Sequence, residues 1–178
     1  MPKRVAAFGE DFAHKEVVGA LIQRLADGVG VAVEIDWRSA RGGHGRVVSE
    51  LREYLRDLRR SAYLPDLVVI ATDANCKGAA RRGEIPTDQS PVPAVLAIPD
   101  PHIERWLLVD GEAFKHVLGR GCQAPDQKCA RDRYKHALIR AIADAGVTPS
   151  LGGIEFAQDI IAAMDLHRAA QADVELER

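Results

Sequence analysis

The sequence predicts an α/β fold: a four-stranded, mainly parallel sheet flanked by helices, followed by a helical C-terminal extension. Two observations predict it. Apolar runs rich in β-branched residues occur at VAAF (5–8), VAVEIDW (31–37), LVVIAT (67–72) and PAVLAI (93–98). The third and fourth are almost wholly apolar, as strands buried on both faces of a parallel sheet are. Amphipathic stretches of helical period separate the first three runs, which makes a βαβαβ unit with right-handed crossovers. The expected order places the first strand near the centre, beside the third.

Between the first two runs, HKEVVGALIQRLADG carries Val17, Leu21 and Leu25 at helical spacing, with Gly28 where a helix would stop. Between the second and third, Val47, Leu51, Tyr54, Leu55 and Leu58 share one helical face. The third connection, DANCKGAARRGEIPTDQSPV, is broken by Gly and Pro and reads as a brief helix with an irregular loop. Beyond the fourth strand, IERWLLVDGEAFKHVLG reads as one or two short helices, ARDRYKHALIRAIADAG as one helix and GGIEFAQDIIAAMDLHRAAQ as one last helix. Trp37, Trp106, Leu107 and Leu108 are expected in the core. With no internal repeat and no linker, 1–178 is read as a single domain, its core at about 4–110 and its helical extension at about 111–172.

Bulk composition narrows the function classes. Hydrophobic residues are 47% and charged residues 28% of the 178, close to the averages of globular proteins, so the bulk numbers suggest neither disorder nor a membrane role. No apolar run approaches a membrane span, and MPKRVAAFGEDF lacks the uninterrupted apolar stretch of a signal peptide, so a cytoplasmic location is expected. A net charge of −2 argues against coating nucleic acid by bulk electrostatics, so any such binding must be local. Three cysteines, Cys76, Cys122 and Cys129, are too few and too odd in number for a disulfide framework, and reduced thiols are expected. Cys122 and Cys129, with His116 and His136 nearby, lack the tight spacing of zinc knuckles.

Ligands of a parallel sheet gather at the carboxyl ends of its strands. Strand one ends in Gly9-Glu10-Asp11, strand three in Thr72-Asp73-Ala74-Asn75, and strand four leads into Asp100-Pro101-His102-Ile103-Glu104. Hard cations prefer oxygen, and Mg²⁺ is commonly held by one or two carboxylates with water or phosphate. Glu10, Asp73 and Glu104 are therefore the candidate cluster for Mg²⁺ or Mn²⁺, against the plainer reading that acidic residues follow strands as caps and turn formers.

The succession strand, Glu10, helix, strand, helix, strand, Asp73-x-Asn75, strand resembles the TOPRIM domain, a Rossmann-like fold of topoisomerases, primases and the overcoming-lysogenization-defect nucleases. IPDPHIERWLLVD resembles the small stand-alone TOPRIM-like proteins of bacteria, considered partners of ATPases in phage defence. The resemblance covers about residues 4 to 110. It implies a metal-dependent nuclease with Glu10 and Asp73 as catalytic residues and metal ligands, Asn75 as a further ligand, and an ATPase as partner; Glu104, or in second place Asp100, is the strand-end carboxylate that completes the catalytic and metal-binding set. Asn75 departs from the family, which has a second Asp there. An amide oxygen can ligate a metal but brings no charge and no base.

Basic residues accompany these strand ends. From Arg38 to Arg60 seven arginines face three acids, a local balance of +4. Arg41 and Arg46 flank Gly42-Gly43-His44-Gly45, where backbone amides can approach an anion, and Lys77, Arg81 and Arg82 follow Asp73. These five are the candidate contacts to nucleic-acid phosphates, whether DNA or RNA. The expected function is a TOPRIM-type phosphodiester hydrolase. The alternative is a non-catalytic subunit that keeps the fold and binds nucleic acid or a partner. Homo-oligomerisation stays open.

Overall fold

β-branched and apolar runs become four strands, β1 (Lys3–Gly9), β2 (Val33–Ser39), β3 (Leu67–Ala71) and β4 (Ala94–Ala97), in the computed structural model, which describes residues 1–130 and 132–177. All neighbouring pairs are parallel and the order is β2-β1-β3-β4. The first strand does lie inside the sheet, beside the third. Register pairs Gly9 with Ser39 on one side and with Ala71 on the other, so the chain leaves the three strands at one level.

Two compact units make up the fold: Met1–Thr72 with Gly78–Ile98, and Asp73–Lys77 with Pro99–Arg178. The first holds the whole sheet. Its long helices are α1 (Phe12–Gly28) and α2 (His44–Leu58), and a short α3 spans Gly78–Gly83. Phe8 meets Tyr54 of α2 with ring centroids 5.0 Å apart, whereas Gly9 lies against Trp37 and His14 of α1. Successive strand residues point to opposite faces, so α1 and α2 cover opposite faces of the sheet. Val5 to Phe8 and Val68 to Ala71 are buried on both sides. From α2, Val47, Leu51, Leu55 and Leu58 are buried as their spacing requires, with Tyr54 half-buried beside them.

Helix α1 ends at Gly28 as expected and buries Val17 and Leu21, while Leu25, in its last turn, is 57% exposed. Two expectations are corrected here. β4 is an edge strand with Val95 45% exposed, since an apolar run does not reveal whether a strand has one neighbour or two. Trp37, on the other edge strand, is half-buried rather than core.

The second unit is helical. A 3₁₀ helix over Ile103–Leu108 buries Trp106, Leu107 and Leu108, and α4 (Gly111–Leu118), α5 (Arg133–Asp144), α6 (Ala157–Ala163), α7 (Leu166–Ala172) and α8 (Val174–Glu177) follow. The single last helix expected from the sequence is thus broken into pieces. Met164 turns extended (φ −65°, ψ 136°), and Asp165 restarts the chain as an N-cap, accepting from the Arg168 amide at 3.0 Å. Buried Asp110 ties the break down. It caps α4 through the amides of Glu112 and Ala113, accepts the Asp165 amide at 2.8 Å, and takes both Nε and Nη2 of Arg168. Burial opposes ionisation of Asp110, but Arg168 and these amides outweigh it and hold the carboxyl below its usual range.

Expected reduced thiols are also corrected. Cys76 and Cys129 form a disulfide within this unit, 53 positions apart in sequence. It fastens the irregular stretch 121–130, which is also tied by Gln127 donating to Asp100 O at 3.2 Å, by Lys128 N–H donating to Tyr134 Oη at 2.8 Å, by Tyr134 Oη donating to Asp126 O at 2.9 Å and by the Arg133–Asp126 ion pair. Cys122 is a free thiol, donating to Leu108 O at 3.7 Å, and burial pushes its pKa up to about 11. No helix among the described residues is long and apolar enough to cross a membrane.

Candidate functional site

In the sheet unit, polar groups converge just beyond the carboxyl ends of β1 and β3. Glu10 and Thr72 each follow the last residue of adjacent parallel strands, Gly9 and Ala71, which are register partners. The level places their side chains together, and the fully buried Thr72 hydroxyl donates to Glu10 Oε1. The other oxygen of Glu10 faces the loop ahead of α2, where a Cβ on Gly43 would stand 3.9 Å from Oε2. Gly42 (φ 125°) and Gly43 (φ 80°) adopt conformations that side chains disfavour, and they deliver His44 as the first residue of α2.

His44 reaches inward and outward at once. Its Nδ1 lies 3.2 Å from Thr72 Oγ1 and its Nε2 lies 2.7 Å from Glu84 Oε2. Arg81, from α3, donates to the same Glu84 oxygen at 3.0 Å. The His44 side chain is 10% exposed and that of Glu84 46%, so the chain of contacts runs from a closed inner end to an open outer one. Burial lowers the His44 pKa, and the Arg81 charge lowers it further against the opposing pull of Glu84 and Glu10.

Asp11 takes the plainer role considered for strand-end acids. It is the N-cap of α1, accepting from the His14 amide at 3.2 Å and lying 2.9 Å from its ring Nδ1. Burial works against its ionisation, but the hydrogen bond and charge of His14 prevail and keep its carboxyl below the usual range.

Asp73, Asn75 and Glu104 belong to the second unit. Asp73 Oδ1 accepts the Ile103 amide at 2.9 Å, at the start of the 3₁₀ helix that carries half-buried Glu104. Asn75 is exposed with φ 49°, and its amide donates back to Asp73 O at 3.4 Å. Ala74 and Asn75 donate their amides to Pro99 O and Pro101 O, and Cys76 to Asp100 Oδ1, so this turn is held by 99–101.

The expected phosphate contacts differ in standing. Arg41 and Arg46 are exposed beside the glycine loop, Arg46 pairing with Glu50 at 2.8 Å one helical turn on. Arg82 is half-buried on α3. Arg81 is 7% exposed and engaged with Glu84. Lys77, in the second unit, is exposed. His44, Thr72 and Glu84 were not among the residues expected from sequence. The local signals were a lone histidine in a glycine run and the one hydroxyl closing LVVIAT, but nothing local pairs positions 28 apart.

The donor chemistry bears on a divalent ion. Among the described residues no group of three or more His, Cys, Asp and Glu side chains is arranged to hold a metal. Mg²⁺ keeps most of its water and needs only one or two carboxylates when substrate phosphate completes the shell. Glu10 fits one such ligand, an oxygen donor at a strand end with a glycine loop beside it; a closed protein cage is not what these residues build. A cavity of about 430 Å³ borders the amino-terminal halves of β1 and β2, lined by Arg4, Asp36, Tyr54 and Tyr63, and takes no part in this network. In comparisons with known proteins, no family model, no curated protein and no solved structure matches the chain, so its chemistry is read from its own residues.

Proposed function

We propose that the protein is a TOPRIM-type hydrolase of nucleic-acid phosphodiesters that works with Mg²⁺ or Mn²⁺. The observation that supports this reading is Glu10: a carboxylate on an inner strand of an all-parallel sheet, at its carboxyl end, hydrogen-bonded by Thr72 and facing a glycine loop. Glu10 is assigned as a metal ligand on this geometry, Asp73 by the family resemblance, and Glu104 by its place after the fourth strand, where its charge would compensate for Asn75. A bound divalent ion supplies water activation and neutralisation of phosphate charge. The chain supplies orientation: the Gly42-Gly43 backbone admits a phosphate closely, while exposed Arg41 and Arg46 attract the nucleic-acid backbone.

The test is cleavage of end-labelled DNA and RNA oligonucleotides with Mg²⁺, with Mn²⁺ and with chelator. Cleavage that needs the ion and falls at least about a hundredfold in Glu10→Gln and Asp73→Ala, with circular dichroism unchanged, is the expected result. A second reading is favoured by Asn75, exposed, uncharged and turned onto its own backbone. It is a non-catalytic subunit that binds nucleic acid beside an ATPase in phage defence. Salt-dependent binding of the same oligonucleotides without cleavage under either metal supports it and overturns the hydrolase.

A further inference from the structure

We infer that Thr72 and His44 are positioning residues which hold the Glu10 carboxylate in one orientation, with Glu84 and Arg81 anchoring the far end. The inference rests on the reading of Glu10 as the reacting-site carboxylate. Its warrant is the direction of the hydrogen bonds. A hydroxyl has one hydrogen, and an ionised carboxylate only accepts. Thr72 Oγ1 gives its hydrogen to Glu10, so towards His44 it can only accept. That assigns a hydrogen to His44 Nδ1, which is the donor at 3.2 Å.

The other ring nitrogen, Nε2, stands 2.7 Å from Glu84 Oε2, so the outer edge of the ring is packed against that carboxylate. Arg81 fixes that oxygen from a second direction at 3.0 Å. Each link has little freedom. Thr72 is β-branched and fully buried, and the His44 side chain is nine-tenths buried on the first turn of a fifteen-residue helix. Five residues, on α2 and α3 and just beyond the ends of β1, β3 and α3, thus transmit one orientation from α3 to the end of β1. Such a supporting shell is what keeps a reacting carboxylate within productive geometry.

The experiment uses the full chain and the variants Thr72→Val, Thr72→Ser and His44→Gln. Two readouts are taken, kcat and KM for metal-dependent cleavage of a labelled oligonucleotide, and the ring-nitrogen NMR signals of His44. Thr72→Val keeps the shape and removes the hydroxyl, and His44→Gln removes the ring. Both are expected to lower kcat by about ten- to a hundredfold while KM stays within about twofold. Thr72→Ser, which restores the hydroxyl, is expected to recover most of kcat. The NMR signals should report a hydrogen on Nδ1 in the wild type and a changed ring in Thr72→Val. Wild-type kcat in Thr72→Val, or a loss that Thr72→Ser does not repair, overturns the proposal. If the wild type cleaves nothing, the hydrolase reading fails and the NMR arm decides alone: a bare Nδ1 in the wild type overturns the relay, and a protonated one that responds to Thr72→Val upholds it.

Discussion

The Thr72 hydroxyl donates to the Glu10 carboxylate across the ends of two neighbouring parallel strands, joining residues 62 positions apart. The contact follows from register. Gly9 and Ala71 are partners in the ladder, so whatever residue follows each is carried to the same level. A carboxylate placed there is supported by the sheet rather than by a loop.

Gly9 is where the sheet tolerates least. A Cβ at this position would collide with the indole ring of Trp37 and stand 3.0 Å from His14 Cβ. Gly9→Ala is therefore expected to destabilise the protein by about 1–3 kcal/mol, the usual cost of overpacking a filled core. Urea unfolding followed by tryptophan fluorescence measures it, and an unchanged midpoint would contradict the packing described.

Reduction of Cys76–Cys129 should lower stability without abolishing the fold. Closing a loop of 53 residues removes chain entropy from the unfolded state worth about 4 kcal/mol. Thermal melts with and without a dithiol, and of Cys129→Ser, are expected to show equal falls in Tm, with the dithiol having no further effect on the variant. Mass spectrometry after alkylation under denaturing, non-reducing conditions should label one cysteine of three; three labels would remove the crosslink from the account.

Asp110 sets an acid limit. Its folded pKa lies below the ordinary value of 3.8, so its contribution is complete above that value and is lost as pH falls through the folded pKa. Stability of the wild type should decline from about pH 4 downward, and Asp110→Asn should flatten that part of the profile. At neutral pH the same variant should lose about 2–4 kcal/mol, because the carboxylate holds Arg168 and three backbone amides. Arg168 is half exposed, which keeps the figure below that of a fully buried ion pair.

If Glu10 takes part in holding a divalent ion, the ion should stabilise the fold. At a hundred times its dissociation constant the gain is about 2.7 kcal/mol, a rise in Tm of roughly 5–10 °C for a chain of this size. Mg²⁺ and Mn²⁺ are each expected to raise the melting temperature of the wild type, and Glu10→Gln should abolish most of that rise. A wild type indifferent to both ions would favour the binding-subunit reading.

Properties that depend on a residue's near neighbours were determined by the sequence alone. The apolar runs placed all four strands to within about two residues, the alternation with helices made the sheet parallel, and the stripe of α2 named four of the residues it buries, Val47, Leu51, Leu55 and Leu58. Glu10 was legible as a strand-end carboxylate for the same reason: it directly follows an apolar run. Tertiary structure decided what depends on distant partners. Leu25 continues the stripe of α1 yet is exposed, because covering is done by strands elsewhere in the chain. The last helix breaks at Met164 because Asp165 gives its amide to Asp110, 55 positions earlier. Cys76 meets Cys129, and His44 meets Thr72, only once the chain is folded. Periodicity records which side of an element is apolar; it holds no information on which polar group will stand opposite, because that is set by register and packing between elements far apart in sequence.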